Sequence, residues 1–373
     1  MKFNSKIDHY FHLFKNPDLC HGILNKINKI NPLKKPIRIM EVCGTHTRAI
    51  FRHGIRSILP ENISLLSGPG CPICVTDQHD IDLFIQAARL PKTIVTTFGD
   101  MMRVPGCQSS LMIEKANGHA VQVVQSAMDA IHIAKNHPDQ EVIFLGVGFE
   151  TTAPTIAATI HDAHNIGIRN FSIISSHKCI VPGLMHLLSL ESLHIDGLLL
   201  PGHVSSIVGV NVYYPIVNQF KIPSVIAGFE PVDILYAIEK LVDMIIHKKP
   251  DLENAYSRVV TSEGNTKALD IIREYFIAND VMWRGLGMIP NSGLELRPNY
   301  YKFDAIHKFN LSLAQPDLKP SLNCSCGDIL IGAKQPPECL LFLKQCTPEH
   351  PIGPCMVSSE GSCGLYARFS ITS

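Results

Sequence analysis

Residues 141–167, "EVIFLGVGFETTAPTIAATIHDAHNIG", decide the fold class. The opening stretch is almost wholly apolar and lacks a polar residue at every second position. A strand here must therefore be covered on both faces. Gly148, Phe149 and Glu150 then turn the chain, and Pro154 opens an amphipathic run that reads as a helix. A doubly covered strand feeding straight into a helix is the repeating unit of a parallel α/β sheet. The same alternation recurs on both sides from about residue 37. "IRIMEVC", "ISLLSG", "KTIVTTFGD", "NFSIISSH", "GLLLPGH" and "PSVIAGFE" are further strand candidates, with "DQHDIDLFIQAARL" and "PVDILYAIEKLVDMIIHKK" as helices. "GFEPVDIL" at 228–235 echoes "GFETTAPT" at 148–155, which suggests two related α/β units. "GVGFETT" is no phosphate-binding loop, because it lacks the third glycine and the lysine.

A chain of 373 residues has room for two or three hydrophobic cores. Its 33 basic and 33 acidic residues cancel, which argues against a nucleic-acid or membrane-surface protein acting through bulk charge. No apolar run approaches a membrane span, and the N-terminal stretch has no signal-peptide core, so a cytoplasmic protein is expected. Cellular thiols stay reduced there, so twelve cysteines predict metal ligands or redox thiols rather than a disulfide framework.

Cys71 and Cys74, in "GPGCPICVT", stand behind a glycine turn and ahead of a predicted helix whose amide dipoles favour a thiolate. That setting suits a redox pair; half a zinc site and inert burial are the alternatives. Cys43, in "MEVCGTHTRAI", ends a strand where α/β proteins place ligands, and His46 is three residues on. Thiolate and imidazole suit a first-row metal such as iron; a buried cysteine beside a backbone-bonded histidine is the bland alternative. Six cysteines crowd the C-terminal region: Cys324, Cys326, Cys339, Cys346, Cys355 and Cys363. Four of them could hold a [4Fe–4S] cluster or a zinc ion, the other two a second dithiol, and spacing alone does not choose among them. Such a Cys-, Pro- and Gly-rich segment needs a metal to hold it together. Glu150 and His203 end strands. Asp100 and Arg103 read as an ion pair or as site-lining groups, His161 and His164 as surface histidines, and Cys20, Cys107 and Cys179 as structural.

Taken together, "MEVCGTHT", "GPGCPICVT", "TFGDMMRVPG", "GFETTAPT" and the C-terminal "CSCG…PPECLLFLKQCTPEHPIGPCMVSSEGSC" resemble the HypD family of [NiFe]-hydrogenase maturation proteins, from about residue 37 to 366. The resemblance implies two related parallel-sheet α/β domains plus a third, iron–sulfur domain. The expected boundaries are 38–125, 126–229, and 1–37 with 230–373. It implies that Cys324, Cys339, Cys346 and Cys363 bind a [4Fe–4S] cluster, leaving Cys326 and Cys355 as the second dithiol. It also implies partners: a HypC-type chaperone, whose N-terminal cysteine holds iron together with Cys43, and a HypE-type cyanide donor. On this expectation the protein is a scaffold on which an Fe(CN)2CO unit is assembled, with Cys71 and Cys74 as redox pair and His46 and Glu150 as cleft groups. Redox activity within a scaffold, rather than conventional turnover, is what this predicts. A free-standing iron–sulfur thiol–disulfide oxidoreductase is the rival expectation, and a structural zinc scaffold a third.

Overall fold

The computed structural model describes residues 13–32, 34–312 and 324–370; parts of the expected third domain, at 1–12, 313–323 and 371–373, lie outside them. Strands β1 (Ile37–Glu41) and β2 (Ile63–Ser67) begin a first sheet. The chain then builds β3 (Thr93–Thr97), β4 (Ala120–Val123), β5 (Glu141–Gly148) and β6 (Phe171–Lys178) of a second sheet. It returns to the first with β7 (Gly197–Pro201), β8 (Ser224–Ala227) and β9 (Leu252–Asn254). A hairpin of β10 (Phe276–Trp283) and β11 (Gly287–Leu296) finally joins the second. The first sheet runs β2-β1-β7-β8-β9 and is parallel throughout. The second runs β4-β3-β5-β6-β11-β10, with β10 and β11 antiparallel.

The boundaries expected at 125 and 229 are thus corrected, since each sheet mixes strands from both sides of them. Periodicity identifies a strand–helix unit but carries no information on which distant strand it pairs with. The hairpin went unread because Asn279, Asp280 and Pro290 interrupt any β-like pattern.

Side chains alternate across each sheet as a period of two demands. In the first sheet Ile39, Leu65, Leu199 and Val225 point outward onto Ile234, Ile238 and Leu241 of the helix Pro231–His247. Met40, Val42, Leu66, Leu198 and Leu200 point inward to a shared core with Leu145, Val147 and Ile174 of the second sheet. Five of the C-terminal cysteines belong to that same shared core. Both sheets place their first parallel strand inside their second, so strand order reverses between β1 and β7 and between β3 and β5. Crevices open at the carboxyl ends of strands at such points.

Glu41, the last residue of β1, is completely buried. Arg56 pairs with it at 2.8 Å and Ser67 donates a hydrogen bond at 3.0 Å. Burial pushes the Glu41 carboxyl up, and Arg56 works against that. The same guanidinium lies 5.0 Å over Phe51 and 5.6 Å over Tyr366, which ties the C-terminal helix Ser362–Ser370 to the first sheet. Arg56→Leu should leave a buried charge without its partner. Because Arg56 is partly exposed, the cost should fall near the lower end of the roughly 3–5 kcal/mol typical of a broken buried pair. Urea denaturation would show it as an earlier midpoint, and an unchanged midpoint would refute the assignment.

Candidate sulfur sites at the carboxyl ends of the sheets

Cys43 caps the helix Gly44–Arg52 just after β1, at the point where the first sheet's order reverses. Gly70 packs directly on its backbone, so a side chain at 70 would collide with Cys43. Gly44 faces Glu360 at equally close range: a Cβ there would stand 2.5 Å from the Glu360 Cβ. Thr45 Oγ1 donates to Glu360 at 2.6 Å. Burial and then the Glu360 carboxylate push the Cys43 thiol up to about 11, against the Thr45 and His46 amides and the Thr45 hydroxyl that favour its thiolate. An uncharged thiol is thus the resting form until a cation displaces its proton.

His46 is fully buried, and its Nε2 hydrogen is taken by Gly228 O at 2.9 Å. Nδ1 is buried without a partner. Burial lowers the imidazole to about 4, so it is neutral, with a free lone pair on Nδ1. Phe229 lies between two imidazoles, 4.7 Å from His46 and stacked at 4.0 Å on His203.

Cys71 and Cys74 are joined by a disulfide. Pro72–Val75 is a single helical turn, with Cys71 at its N-cap accepting from the Cys74 amide at 3.2 Å. Ser358 Oγ lies 3.2 Å from the Cys71 sulfur. This turn packs against the helices Cys326–Leu330 and Pro354–Val357, which carry Cys326 and Cys355.

All six C-terminal cysteines line one pocket, walled by Ile329, Leu341, Phe342 and Met356. The Cys326 and Cys355 sulfurs are 2.8 Å apart. Among the described residues no three His, Cys, Asp or Glu side chains converge on a point, as a single bound ion would require. A four-iron cluster makes a different demand: one thiolate per iron, spread around a cavity. The six cysteines that line this cavity offer donors enough for that requirement, Cys324, Cys339, Cys346 and Cys363 among them. Burial and mutual repulsion push the Cys363 thiol well up, so four thiolates in this apolar pocket call for a compensating cation.

Asp100 and Arg103 do not pair with each other. Asp100 accepts from Ser359 N at 3.1 Å and Ser359 Oγ at 3.2 Å, and Arg103 donates to Pro348 O. Both clasp the cysteine-rich segment onto the second sheet. Glu150 is buried at the end of β5, accepting from Ile180 N at 2.9 Å while Oε2 has no partner. Burial raises it to about 7. The buried Tyr213 hydroxyl feels the charges of both Glu150 and Cys43. His164 is exposed and His161 bonds Tyr275 at 2.9 Å. Cys20, Cys107 and Cys179 are free thiols outside the pocket.

Sequence reasoning missed Ser358 and Glu360. One signal was available: Glu360 is the lone carboxylate between Cys355 and Cys363.

A family model named HypD, described as "Hydrogenase formation hypA family", matches residues 18–370. The chain is 41% identical to the hydrogenase maturation factor HypD2 of Bradyrhizobium diazoefficiens over 367 residues, covering 95% of this chain and 96% of that one. It is 43% identical over 337 residues to the hydrogenase maturation factor HypD of Escherichia coli, 90% of each. The corresponding Azotobacter vinelandii factor is 42% identical over 344 residues, again 90% of each.

Proposed function

The chain belongs to the HypD family and is a hydrogenase maturation factor, and from that premise we propose that it holds iron at Cys43 while cyanide and carbon monoxide ligands are added. The observation that carries this reading is one nine-residue loop. Within 355–363, Cys355 and Cys363 line the six-cysteine pocket, Ser358 touches Cys71, Ser359 binds Asp100, and Glu360 meets Gly44 and Thr45 beside Cys43. A single short segment thus joins all three sulfur sites.

Low-spin iron needs soft donors, and the Cys43 thiolate with a second one from a HypC-type chaperone supplies them. The crevice beside β1 and β7 is where that partner would dock and exclude water. A HypE-type donor would present cyanide as a thiocyanate. Releasing it breaks the S–C bond: R–S–CN takes up two electrons and a proton to give R–SH and cyanide, which binds the iron. Oxidation of the Cys71–Cys74 dithiol to the disulfide supplies both electrons and frees two protons, one of which goes to the leaving sulfur. Glu150, held near 7, can relay a proton at neutral pH. The packed Cys326 and Cys355 thiols return two electrons to the Cys71–Cys74 disulfide by exchange. A [4Fe–4S] cluster on Cys324, Cys339, Cys346 and Cys363 would supply one-electron chemistry from an external one-electron donor. Among the described residues no helix is long and apolar enough to cross a membrane, which is compatible with a cytoplasmic site of action.

The test is the anaerobically purified complex with the chaperone. Iron in excess of four per chain, together with infrared bands from CN and CO, is expected. Cys71→Ser should keep the pocket iron but accumulate complex without cyanide bands. Zinc in the pocket would favour a structural scaffold, and four irons without CN or CO bands would favour a free-standing oxidoreductase.

A further inference from the structure

The tip of the β10–β11 hairpin is wedged between the disulfide turn Pro72–Val75 and the helix Cys326–Leu330. Trp283 anchors it: the indole is 1% exposed, its N–H is donated to Ser292 Oγ at 2.8 Å, and a Cβ on Gly183 would stand 2.5 Å from its ring. Trp283 also bridges Thr76. Arg284 comes next, and its hydrogen bonds run to the segment just after Cys74. Its amide donates to Val75 O at 2.9 Å, Nε to Thr76 O at 3.0 Å, and a terminal nitrogen to Gln78 Oε1 at 3.3 Å. On the other side Gly285, at φ +81°, lies so close to Gly327 that a Cβ would run into the Gly327 Cα. Gly327 adjoins Cys326. The tip thus touches the dithiol segment with one residue and the cysteine pocket with the next.

The guanidinium hydrogen bonds go to neutral oxygens, a carbonyl and an amide, so none of these partners cancels its charge. The residue after Arg284 packs on Gly327, next to Cys326, so that charge stands beside the pocket. We propose that Arg284 is a positioning residue that pins the Cys71–Cys74 segment against the six-cysteine pocket and supplies the pocket with a standing cation. The inference rests on reading that pocket as a cluster site. Adding one electron there adds one unit of negative charge with no proton, and a nearby cation stabilises the reduced form. Arg284 therefore makes the pocket easier to reduce.

The experiment is a mediated dithionite titration of the full chain, followed by EPR, with iron counted in parallel. Arg284→Gln should keep its iron yet show a reduction constant about tenfold smaller, a midpoint about 59 mV more negative. Arg284→Lys keeps the cation but loses the planar fork, and its midpoint should stay close to wild type. Gln78→Glu provides a second route that leaves the Val75 and Thr76 anchors in place: a carboxylate beside the guanidinium offsets its charge, and the midpoint should move in the same direction. This variant decides the matter if Arg284→Gln fails to fold. Unchanged midpoints in Arg284→Gln and Gln78→Glu, with normal iron, would overturn the role of Arg284 and leave the cluster reading standing. A wild-type pocket that takes up no iron under reconstitution would overturn both.

Discussion

Cys43→Ala is expected to fold, fill the six-cysteine pocket and bind its chaperone, yet accumulate no iron carrying CN and CO. The substitution removes one sulfur and little else. Gly70 packs on the Cys43 backbone rather than on its side chain, and the cap of the helix Gly44–Arg52 uses no side-chain hydrogen bond. The fold therefore has small reason to change. The lost sulfur has no substitute, because Cys71 and Cys74 are taken up as the proposed electron-donating pair and His46 Nδ1 alone is a single, harder donor. Cys43→Ser should be nearly as damaging, since a serine hydroxyl holds its proton and binds soft iron poorly. Because the wild-type thiol sits at about 11 without metal, iron binding must release a proton. Loading should accordingly weaken as pH falls. Infrared spectra and iron counts on the anaerobic complex provide the check, and decorated iron at normal occupancy in Cys43→Ala would remove this residue as the anchor.

The second large effect is expected at Cys363. Cys363→Ala should lose most of the visible iron–sulfur absorption and lower the melting temperature, whereas Cys20→Ala, Cys107→Ala and Cys179→Ala should keep the absorption. The segment around the pocket consists of short helices such as Cys326–Leu330 and Pro354–Val357, too brief to stand unaided. Metal binding should supply much of their folding energy. The damage should also spread. Cys363 follows Glu360 by three residues, so loosening the loop would withdraw Ser358 from Cys71 and Glu360 from Thr45. Faster alkylation of Cys43 in the Cys363→Ala protein would report that withdrawal. Full absorption retained in this variant would sink the ligand assignment.

The strands were legible because β5, β6 and β7 are covered on both faces and so are written as apolar runs. The helices Gln78–Ala88, Ala153–Asn165 and Pro231–His247 fall inside the amphipathic stretches that suggested them. Pairing was not legible. Nothing in β2 says that its sheet continues at β7, since all these strands present similar apolar faces. At the site, the cysteines and strand-end groups stood out by residue type. Ser358, Glu360 and Arg284 did not, because each is an ordinary polar residue made significant by a contact more than two hundred positions away. Asp100 and Arg103 were noticed, but their partners Ser359 and Pro348 are equally remote.

The interrupted first sheet has a consequence for synthesis. Strands β3 to β6 occupy one continuous stretch, so the second sheet's parallel core can close as soon as it emerges from the ribosome. Strand β1 cannot gain its inner neighbour until β7 has been made, about 130 residues after β2 ends. At about 5–20 residues per second that interval is roughly 7–26 s. Throughout it β1 has one free edge, and the crevice beside Cys43 has one wall. The C-terminal loop that brings Glu360 arrives last of all. A nascent chain therefore presents an isolated Cys43 thiol rather than a finished site, and the proposed iron position is complete only once the loop 355–363 has been made.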